Sequence, residues 1–214
     1  MDPTRGIATP EVLMKLHILL FVLAVIGTIG GCKSDSGIVP SFDNNEILPL
    51  ASGNTWMFLR TGIDSNGTIV DSSSLLMAVG QPDTFGREIV YPVSNFPFVF
   101  TQPGPLLLAN KSNGLHNVIG RPHPLSPVFL HVLQFPTAVG DTVRFSGYTI
   151  RSGSLSESVA VHAGSFTCIR YDILQDNVAV ARIFMVPDIG IVKSWQRYYG
   201  LSGLVDQLHS FQVQ

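Results

Sequence analysis

The chain has 214 residues, of which 13 are basic and 15 acidic, so its formal net charge at pH 7 is −2. This balance excludes a basic surface for nucleic acid and a strongly acidic tract. Only 13% of the residues are charged, whereas 20 are glycine and 14 are proline. Low charge with many turn formers favours short strands and tight turns over helices.

An apolar run near the N-terminus predicts an export signal. Residues 18–26 are apolar without interruption, Lys15 precedes them, and small residues follow as far as Cys32. A secretory signal has these parts: a basic start, an apolar core and small residues before the cleavage site. The segment before Met14 contains acidic residues, which do not suit a signal, so Met14 is the expected start. We expect residues 1–31 to be a helical signal peptide.

The end of this run, Ile29-Gly30-Gly31-Cys32, resembles the signal of bacterial lipoproteins. In that family three small or aliphatic residues precede a cysteine that is diacylated on its sulfur before the peptide is cut. The resemblance implies cleavage between Gly31 and Cys32, a lipid such as palmitate on Cys32, and a membrane anchor in the cell envelope. Lys33 stands where the family's inner-membrane retention signal has Asp, which implies the outer membrane rather than the inner one.

Three other interpretations of the run stay open. They are an uncleaved anchor helix, an ordinary signal that is cleaved without lipidation, and a helix buried in a protein core. A membrane-spanning helix needs about 20 apolar residues, and fewer uncharged residues separate Lys15 from Lys33. The run also lacks the amphipathic pattern that a helix against a core usually shows.

The polar segment that follows predicts a tether. Residues 32–47 are rich in Ser, Asn and Pro, a composition typical of flexible linkers. Asp43 and Glu46 are candidate metal ligands, but a solvated linker explains them better. Residues 48–214 are long enough to form one domain with its own core.

Turn-forming residues divide this domain into strand-length segments. The predicted strands are 55–60, 68–79, 87–93, 128–135, 142–150, 156–163, 165–174, 178–187, 191–199 and 204–213, and two short candidates are 105–109 and 114–119. Short connections predict antiparallel neighbours. We therefore expect an all-β or mostly β domain, an antiparallel meander of about eight to eleven strands that forms a curved sheet, an open barrel or a sandwich.

Two segments within the domain allow more than one interpretation. Asp64, Asn66 and Asp71 resemble a calcium loop, but the glycine falls at the fourth place rather than the sixth, and a hairpin turn explains them better. Prolines interrupt residues 92–127, which predicts edge strands or loops there. The nearly continuous apolar runs 128–133 and 182–186 indicate burial on both faces or the lining of a cavity.

Three phrases in the domain resemble a group of uncharacterised secreted β-rich bacterial proteins and lipoproteins. They are the Gly-Asn-x-Trp phrase that ends at Trp56, the Ala-Gly-x-Phe phrase that ends at Phe166, and the Gly-x-Val-Lys phrase that ends at Lys193. The resemblance spans residues 48–213 and implies a curved antiparallel β domain. It implies no chemistry, since the shared residues are turn glycines and core aromatics.

No catalytic or metal-binding motif is visible. The histidines beyond the signal (His116, His123, His131, His162 and His209) show no metal-ligand spacing. With Cys32 lipidated, Cys168 has no partner in the chain, and its alternating context predicts a buried, inert thiol. A Ser-His-Asp site assembled from distant residues stays open, because such sites are defined by geometry.

Four aromatic residues are candidates for a ligand surface, since Trp and Tyr favour half-exposed positions: Trp56, Trp195, Tyr198 and Tyr199. Packing in the core or on a sheet face is the more ordinary explanation. The sequence thus predicts a non-enzymatic envelope lipoprotein, without a cofactor, that binds a protein partner or an apolar ligand. A structural or assembly subunit of an envelope complex is the alternative, and a hydrolase is the third.

Overall fold

The computed structural model describes residues 46–97, 105–119, 128–198 and 201–214, except for the side chains of Tyr198 and Leu201. Its strands are β1 (Thr55–Ile63), β2 (Ile69–Val79), β3 (Asp83–Phe85), β4 (Glu88–Ser94), β5 (Leu106–Lys111), β6 (Gly114–Ile119), β7 (Val128–Gln134), β8 (Thr142–Phe145), β9 (Tyr148–Val161), β10 (Gly164–Gln175), β11 (Val178–Val186), β12 (Gly190–Tyr198) and β13 (Leu201–Gln212). The predicted all-β class is confirmed. None of the described residues belongs to a helix that is long and apolar enough to cross a membrane.

The strands form one antiparallel sheet that is nearly closed into a barrel. Its order is β7-β6-β5-β4-β2-β1-β13-β12-β11-β10-β9-β8, and β3 pairs with β4 beside this path. Nearly all neighbours follow one another in sequence, so the predicted meander is confirmed, and the pairing of β1 with β13 joins the two halves. The end strands β7 and β8 lie next to each other. Gln134 at the end of β7 is held by two side-chain bonds: Tyr171 Oη on β10 donates to Gln134 O at 2.8 Å, and Gln134 Nε2 donates at 3.2 Å to Oδ2 of Asp141, the residue before β8.

Alternation along the strands directs one set of side chains into the barrel. Trp56 and Phe58 on β1 are fully buried there, as are Tyr171 on β10 and Leu208 on β13. Trp56 Nε1 donates to Ile189 O at 2.6 Å, which satisfies the one polar atom of a buried indole. Trp56 and Phe58 therefore share the core face of β1.

A second, smaller apolar cluster lies outside the barrel over β4–β6. Phe85, Val90, Ala109 and Val118 are buried in it, whereas Leu108 and Leu115, their sequence neighbours on β5 and β6, belong to the main core. The short strand β3 folds Phe85 over this outer side through its pairing with β4. We call this region the covered face.

Two predicted strand boundaries in the second half of the chain are wrong, and a glycine lies at each of them. Residues 142–150 form two strands, β8 and β9, since Ser146 and Gly147 both adopt positive φ angles of 49° and 85°, as a tight hairpin requires. The break predicted between 150 and 156 is absent. Gly153 lies within β9. A β-carbon there would lie 2.8 Å from Arg170 Nη2, so the absence of a side chain at Gly153 leaves room for the Arg170 side chain.

Two further boundaries differ from prediction. β13 begins at Leu201 rather than at residue 204, so Gly203 is part of the strand. The prediction that prolines restrict residues 92–127 to edge strands and loops is wrong for β4, β5 and β6. These three strands, of which β4 contains Pro92, each lie between two other strands of the sheet. The carbonyl of Pro92 accepts from Gly80 N at 2.8 Å. The N–H that Pro92 lacks would point to the same side, where the ladder with β2 ends.

The residues at the predicted boundary between tether and domain pack against the core. Ile47, placed at the end of the tether, is fully buried in the core beside Leu48, and Asp188 N donates to Glu46 O at 3.4 Å. Glu46 is exposed. Residues 1–45, which include the predicted signal peptide, Gly31, Cys32, Asp43 and most of the tether, lie outside the described residues.

Candidate functional site

A row of side chains crosses the outer side of the sheet from β9 to β1. The register pairs Arg151 with Asp172, Asp172 with Arg182, and Arg182 with Trp195. Trp195 in turn pairs with Val205, and Val205 with Thr61. Directly paired residues of an antiparallel sheet have β-carbons about 5 Å apart. The row therefore sets a cation directly beside a tryptophan.

Along β12, Trp195 also has a cation on either side. Lys193 and Arg197 are two residues away and point to the same side of the strand, about 7 Å from Trp195 along it. Arg197 is exposed and Lys193 half-buried. Neither forms an ion pair with any other described residue. Three cations therefore surround one indole, and two of them keep their charge unpaired within the described chain.

These residues line a groove of about 700 Å³, which we call the outer groove. Its floor is formed by β11, β12 and β13, and its rim by residues next to the β1–β2 and β10–β11 turns. The described lining residues are Thr61, Ile63, Ile69, Val178, Ala179, Arg182, Phe184, Lys193, Trp195, Arg197, Val205 and Gln207. None of them is acidic, although the whole chain has a net charge of −2. The volume lies in the range of about 300–1,000 Å³ that is usual for small-ligand sites.

Trp195 lies against the backbone of β13. A β-carbon at Gly203 would come within 2.5 Å of Nε1 and 3.2 Å of Cδ1 of Trp195, so the glycine leaves the room that the indole occupies. The indole is half-buried, and its Nε1 has no hydrogen-bond partner within the described chain. The ring is held in place by the strand and still contributes a surface to the outer groove.

Arg182 is held at the groove by a cluster of charges. Asp172, only 3% exposed, lies 3.1 Å from Arg182 Nε, 3.3 Å from Arg170 Nε and 3.6 Å from Arg151 Nη2. Arg170 Nη1 also pairs with Glu157 at 2.6 Å. Asp172 Oδ1 accepts no hydrogen bond, so charge rather than directional bonding holds this side of the cluster together. Three arginines against two carboxylates leave an excess of positive charge beside the groove.

A buried ion pair supports the groove floor from the opposite face. Arg60 Nε donates to Asp206 Oδ1 at 2.7 Å and Arg60 Nη2 donates to Asp206 Oδ2 at 3.1 Å. Ser194 Oγ adds a third bond to Asp206 Oδ2 at 3.0 Å. Asp206 is fully buried, and the three residues share one register row across β1, β13 and β12. This bidentate pair fixes the relative positions of the strands that carry Trp195.

The four aromatic candidates do not form one surface. Trp56 is in the core and Trp195 lines the outer groove. The side chain of Tyr198 and all of Tyr199 lie outside the described residues. In the nearly continuous run 182–186, the outward Phe184 lines the groove while Ile183 and Met185 are buried in the core, so both faces of this run are used.

Two pairs of histidines meet across strands, although their spacing along the chain gave no sign of it. The rings of His116 and His131 stack with centroids 4.6 Å apart and an interplanar angle of 5°, and those of His162 and His209 are 5.6 Å apart and tilted by 51°. Stacked parallel rings cannot direct both lone pairs at one ion. Among the described residues no group of three His, Cys, Asp or Glu is placed to hold a metal. His123 lies outside them.

The remaining candidates have structural positions. Cys168 is fully buried and free, and burial, with a smaller contribution from Glu157, raises the pKa of its thiol to about 12, which confirms the predicted buried thiol. Asp64 Oδ1 accepts from the backbone N–H groups of Asn66 and Thr68, each at 2.8 Å. Both contacts use Asp64 to close the turn, as the hairpin interpretation predicted.

The phrases that carried the sequence resemblance hold the two ends of the domain together. Asn54 is fully buried and donates to Pro49 O at 2.9 Å, while its Oδ1 accepts from Gln214 N at 3.0 Å. Gly190 lies against the Trp56 ring. Their role here is structural.

Comparisons with known proteins add two distant structural neighbours. No protein-family model matches the chain, and no curated protein matches it. The chain is similar to a candidate exported protein with a YmcC-like fold from Bacteroides fragilis NCTC 9343, with 13% identity, a TM-score of 0.42, and coverage of 79% of this chain and 100% of that one. It is also similar to a candidate lipoprotein from Parabacteroides distasonis ATCC 8503, with 15% identity, a TM-score of 0.42 and the same coverage.

Proposed function

We propose that this chain is a bacterial envelope lipoprotein, anchored through lipid on Cys32, whose β domain binds an anionic ligand in the outer groove. The observation that carries this proposal is the placement of Arg182, Lys193 and Arg197 around Trp195, with no carboxylate among the described lining residues. A cationic groove on a chain with net negative charge attracts anions selectively.

The anchor rests on the sequence. Ile29-Gly30-Gly31-Cys32 follows a basic start and an apolar core, as a lipoprotein signal does. Each buried methylene of an acyl chain contributes about 0.8 kcal/mol, so two or more chains hold a protein stably on a membrane. Lys33 supports the outer membrane as the destination.

A binding role fits the described side chains better than catalysis does. A general base must reach the group that it deprotonates. His116 Nδ1 instead bonds to Gly114 O at 3.2 Å, and His131 Nε2 to Asn113 O at 2.9 Å. Both rings therefore have a structural role in holding the local backbone.

The side chains that line the groove also limit the class of ligand that it can bind. An apolar ligand would suit a dry pocket, whereas this lining mixes cations with Trp195, Phe184 and Val205. The charge therefore favours an anion, and the aromatic surface adds contact area. A role as assembly subunit remains the rival, and it requires a stoichiometric protein partner.

Tryptophan fluorescence of the full chain in detergent tests the groove directly. Trp56 is fully buried, so a water-soluble quencher reports on Trp195. At constant ionic strength, and with each quencher normalised to its quenching of free N-acetyltryptophanamide, iodide should quench severalfold more than caesium because the cations concentrate anions locally. Inorganic phosphate should protect Trp195 from iodide by competition. Equal normalised quenching by iodide and caesium, or no protection by phosphate, would refute the anion site.

Two controls complete the test. The Trp195→Phe variant retains only Trp56 and should lose the difference between the quenchers. The Cys32→Ser variant tests the anchor by detergent partitioning and signal cleavage, and normal processing with membrane partitioning would refute lipidation. Native mass spectrometry of the extracted wild-type chain that shows a stoichiometric protein would favour the assembly role.

A further inference from the structure

We infer that the ligand of the outer groove is a ring-bearing anion whose flat face packs on Trp195 while its anionic group pairs with Lys193 or Arg197. This inference rests on the proposed function and adds the class of ligand. The indole is held against β13 by the absence of a side chain at Gly203. Because its position is set before binding, little side-chain entropy is lost when a ring stacks on it.

The cations are placed at the distance that such a ligand needs. Lys193 and Arg197 lie on either side of Trp195 along one strand, each about 7 Å away, and Arg182 lies opposite it in the register. A long, flexible basic side chain at that distance reaches an anionic group at the edge of a ring seated on the indole. Arg182 is already paired with Asp172 at 3.1 Å, so the unpaired cations Lys193 and Arg197 carry the recognition.

An extended peptide does not suit this groove. Peptides that add to a sheet bind through main-chain hydrogen bonds at an exposed edge. The floor strands β11, β12 and β13 each pair with a neighbour on both sides. Their ladders are therefore occupied, and recognition must come from side chains.

An anionic membrane surface does not suit it either. Asp64 follows the lining residue Ile63, and Asp176 lies in the turn before the lining residue Val178. Both turns next to the groove thus carry a carboxylate in sequence, which disfavours a broad anionic surface on this side more than it disfavours a compact anion.

Calorimetry with matched probe pairs tests the inference. Phenyl phosphate is compared with inorganic phosphate, and benzoate with acetate, each titrated into the full chain in detergent. Stacking on an aromatic side chain contributes enough affinity to predict that the ring compound of at least one pair binds about tenfold more tightly than its ringless partner. Equal affinities within both pairs would overturn the inference and leave the anion site intact. If none of the four probes binds, both the inference and the proposed function fail.

Two variants separate stacking from charge. Trp195→Ala should abolish the preference for the ring compound while keeping the affinity for its ringless partner, and Trp195→Phe should retain most of the preference. Lys193→Gln combined with Arg197→Gln should weaken the binding of every probe. If the ring preference survives in Trp195→Ala, the ring binds elsewhere and the inference is wrong. Unchanged thermal unfolding of each variant shows that the fold is kept.

Discussion

The outer surface of the barrel has two regions of opposite character. On the covered face, Phe85 of β3 and Val90 of β4 pack with residues of β5 and β6 and are at most 6% exposed. Its cation Lys111 is neutralised by Glu88 at 3.0 Å and sits 3.7 Å above the Phe129 ring. On the groove side, Trp195 stays half-buried, and Lys193 and Arg197 have no described counter-charge.

The difference shows that the sheet can hide an outer face when local sequence provides the means. On the covered face, β3 adds Phe85 to a small buried cluster with Val90, Ala109 and Val118. No described segment plays this part over β11–β13, where the indole and the cations remain accessible. An outer surface with unpaired cations and a fixed indole, on a sheet whose other outer region is covered, is the arrangement expected of a binding site.

The largest expected contrast is the cost of removing the aromatic residue from each region. Phe85→Ala should destabilise the domain by about 3 kcal/mol, because it empties the small cluster that covers β5 and β6. Trp195→Ala should lower the free energy of unfolding by less than about 1 kcal/mol, since the ring is half-exposed and its Nε1 has no described hydrogen-bond partner. Urea unfolding followed by circular dichroism measures both.

The control for this contrast is Phe85→Leu, which keeps most of the volume and should cost less than about 1.5 kcal/mol. A cost for Trp195→Ala equal to that of Phe85→Ala would mean that the indole is core. The distinction between a covered and an open face would then disappear.

A smaller effect is expected from the carboxylate that holds Arg182. Asp172→Asn leaves three arginines without their shared counter-charge and should cost about 2 kcal/mol in unfolding free energy. The same change adds positive charge beside the groove, so iodide should quench Trp195 more strongly than in wild type. Unchanged quenching would show that the cluster and the groove are electrostatically independent.

The covered face should also respond to pH. Burial, together with His131 and Lys111, lowers the pKa of His116 below 6.5, although the bond to Gly114 acts the other way. The unfolded chain then takes up this proton more readily than the folded one, so stability falls as pH drops below about 6.5. The urea midpoint should decrease from about pH 7.5 to about pH 5.5, and His116→Asn should reduce that decrease.

An opposing group makes the variant necessary. Although Glu46 is largely exposed, the partial burial of its carboxyl, followed by repulsion from Asp188, raises its pKa above 4.5, so the folded chain retains that proton more readily and gains stability as pH falls. The wild-type profile contains both contributions. Only the difference between wild type and His116→Asn reports on the histidine, and identical profiles would contradict the role given to the stacked pair.

The sequence predicted the fold well because its signals are local. Turn formers divided the chain into strands, Asn66-Gly67 marked a hairpin, and short connections required a meander. Boundaries failed where a residue's role depends on a distant neighbour. Gly153 and Gly203 lie between predicted strands, yet they belong to β9 and β13 and make room for Arg170 and Trp195 on adjacent strands.

The candidate site was predicted only in part for the same reason. Trp195 was a candidate, but the place of Arg182 beside it became visible only through the register of β11 with β12, which a single sequence does not specify. Lys193 and Arg197 lie at alternate positions around Trp195 on one strand, and this pattern is the signal that could have found them. The pair of His116 with His131 likewise depends on cross-strand register.

The smallest stability effect should come from the cations of the groove. Lys193→Gln combined with Arg197→Gln should change the unfolding free energy by no more than about 0.5 kcal/mol, because neither side chain has a described partner to lose. The matched change on the covered face, Lys111→Gln, removes an ion pair and a cation–π contact and should cost about 1 kcal/mol. The groove variant should nevertheless lose the excess of iodide over caesium quenching, while Lys111→Gln keeps it. A stability loss in the groove variant as large as that of Lys111→Gln would show that these cations support the fold, and their lack of partners would then no longer indicate a ligand.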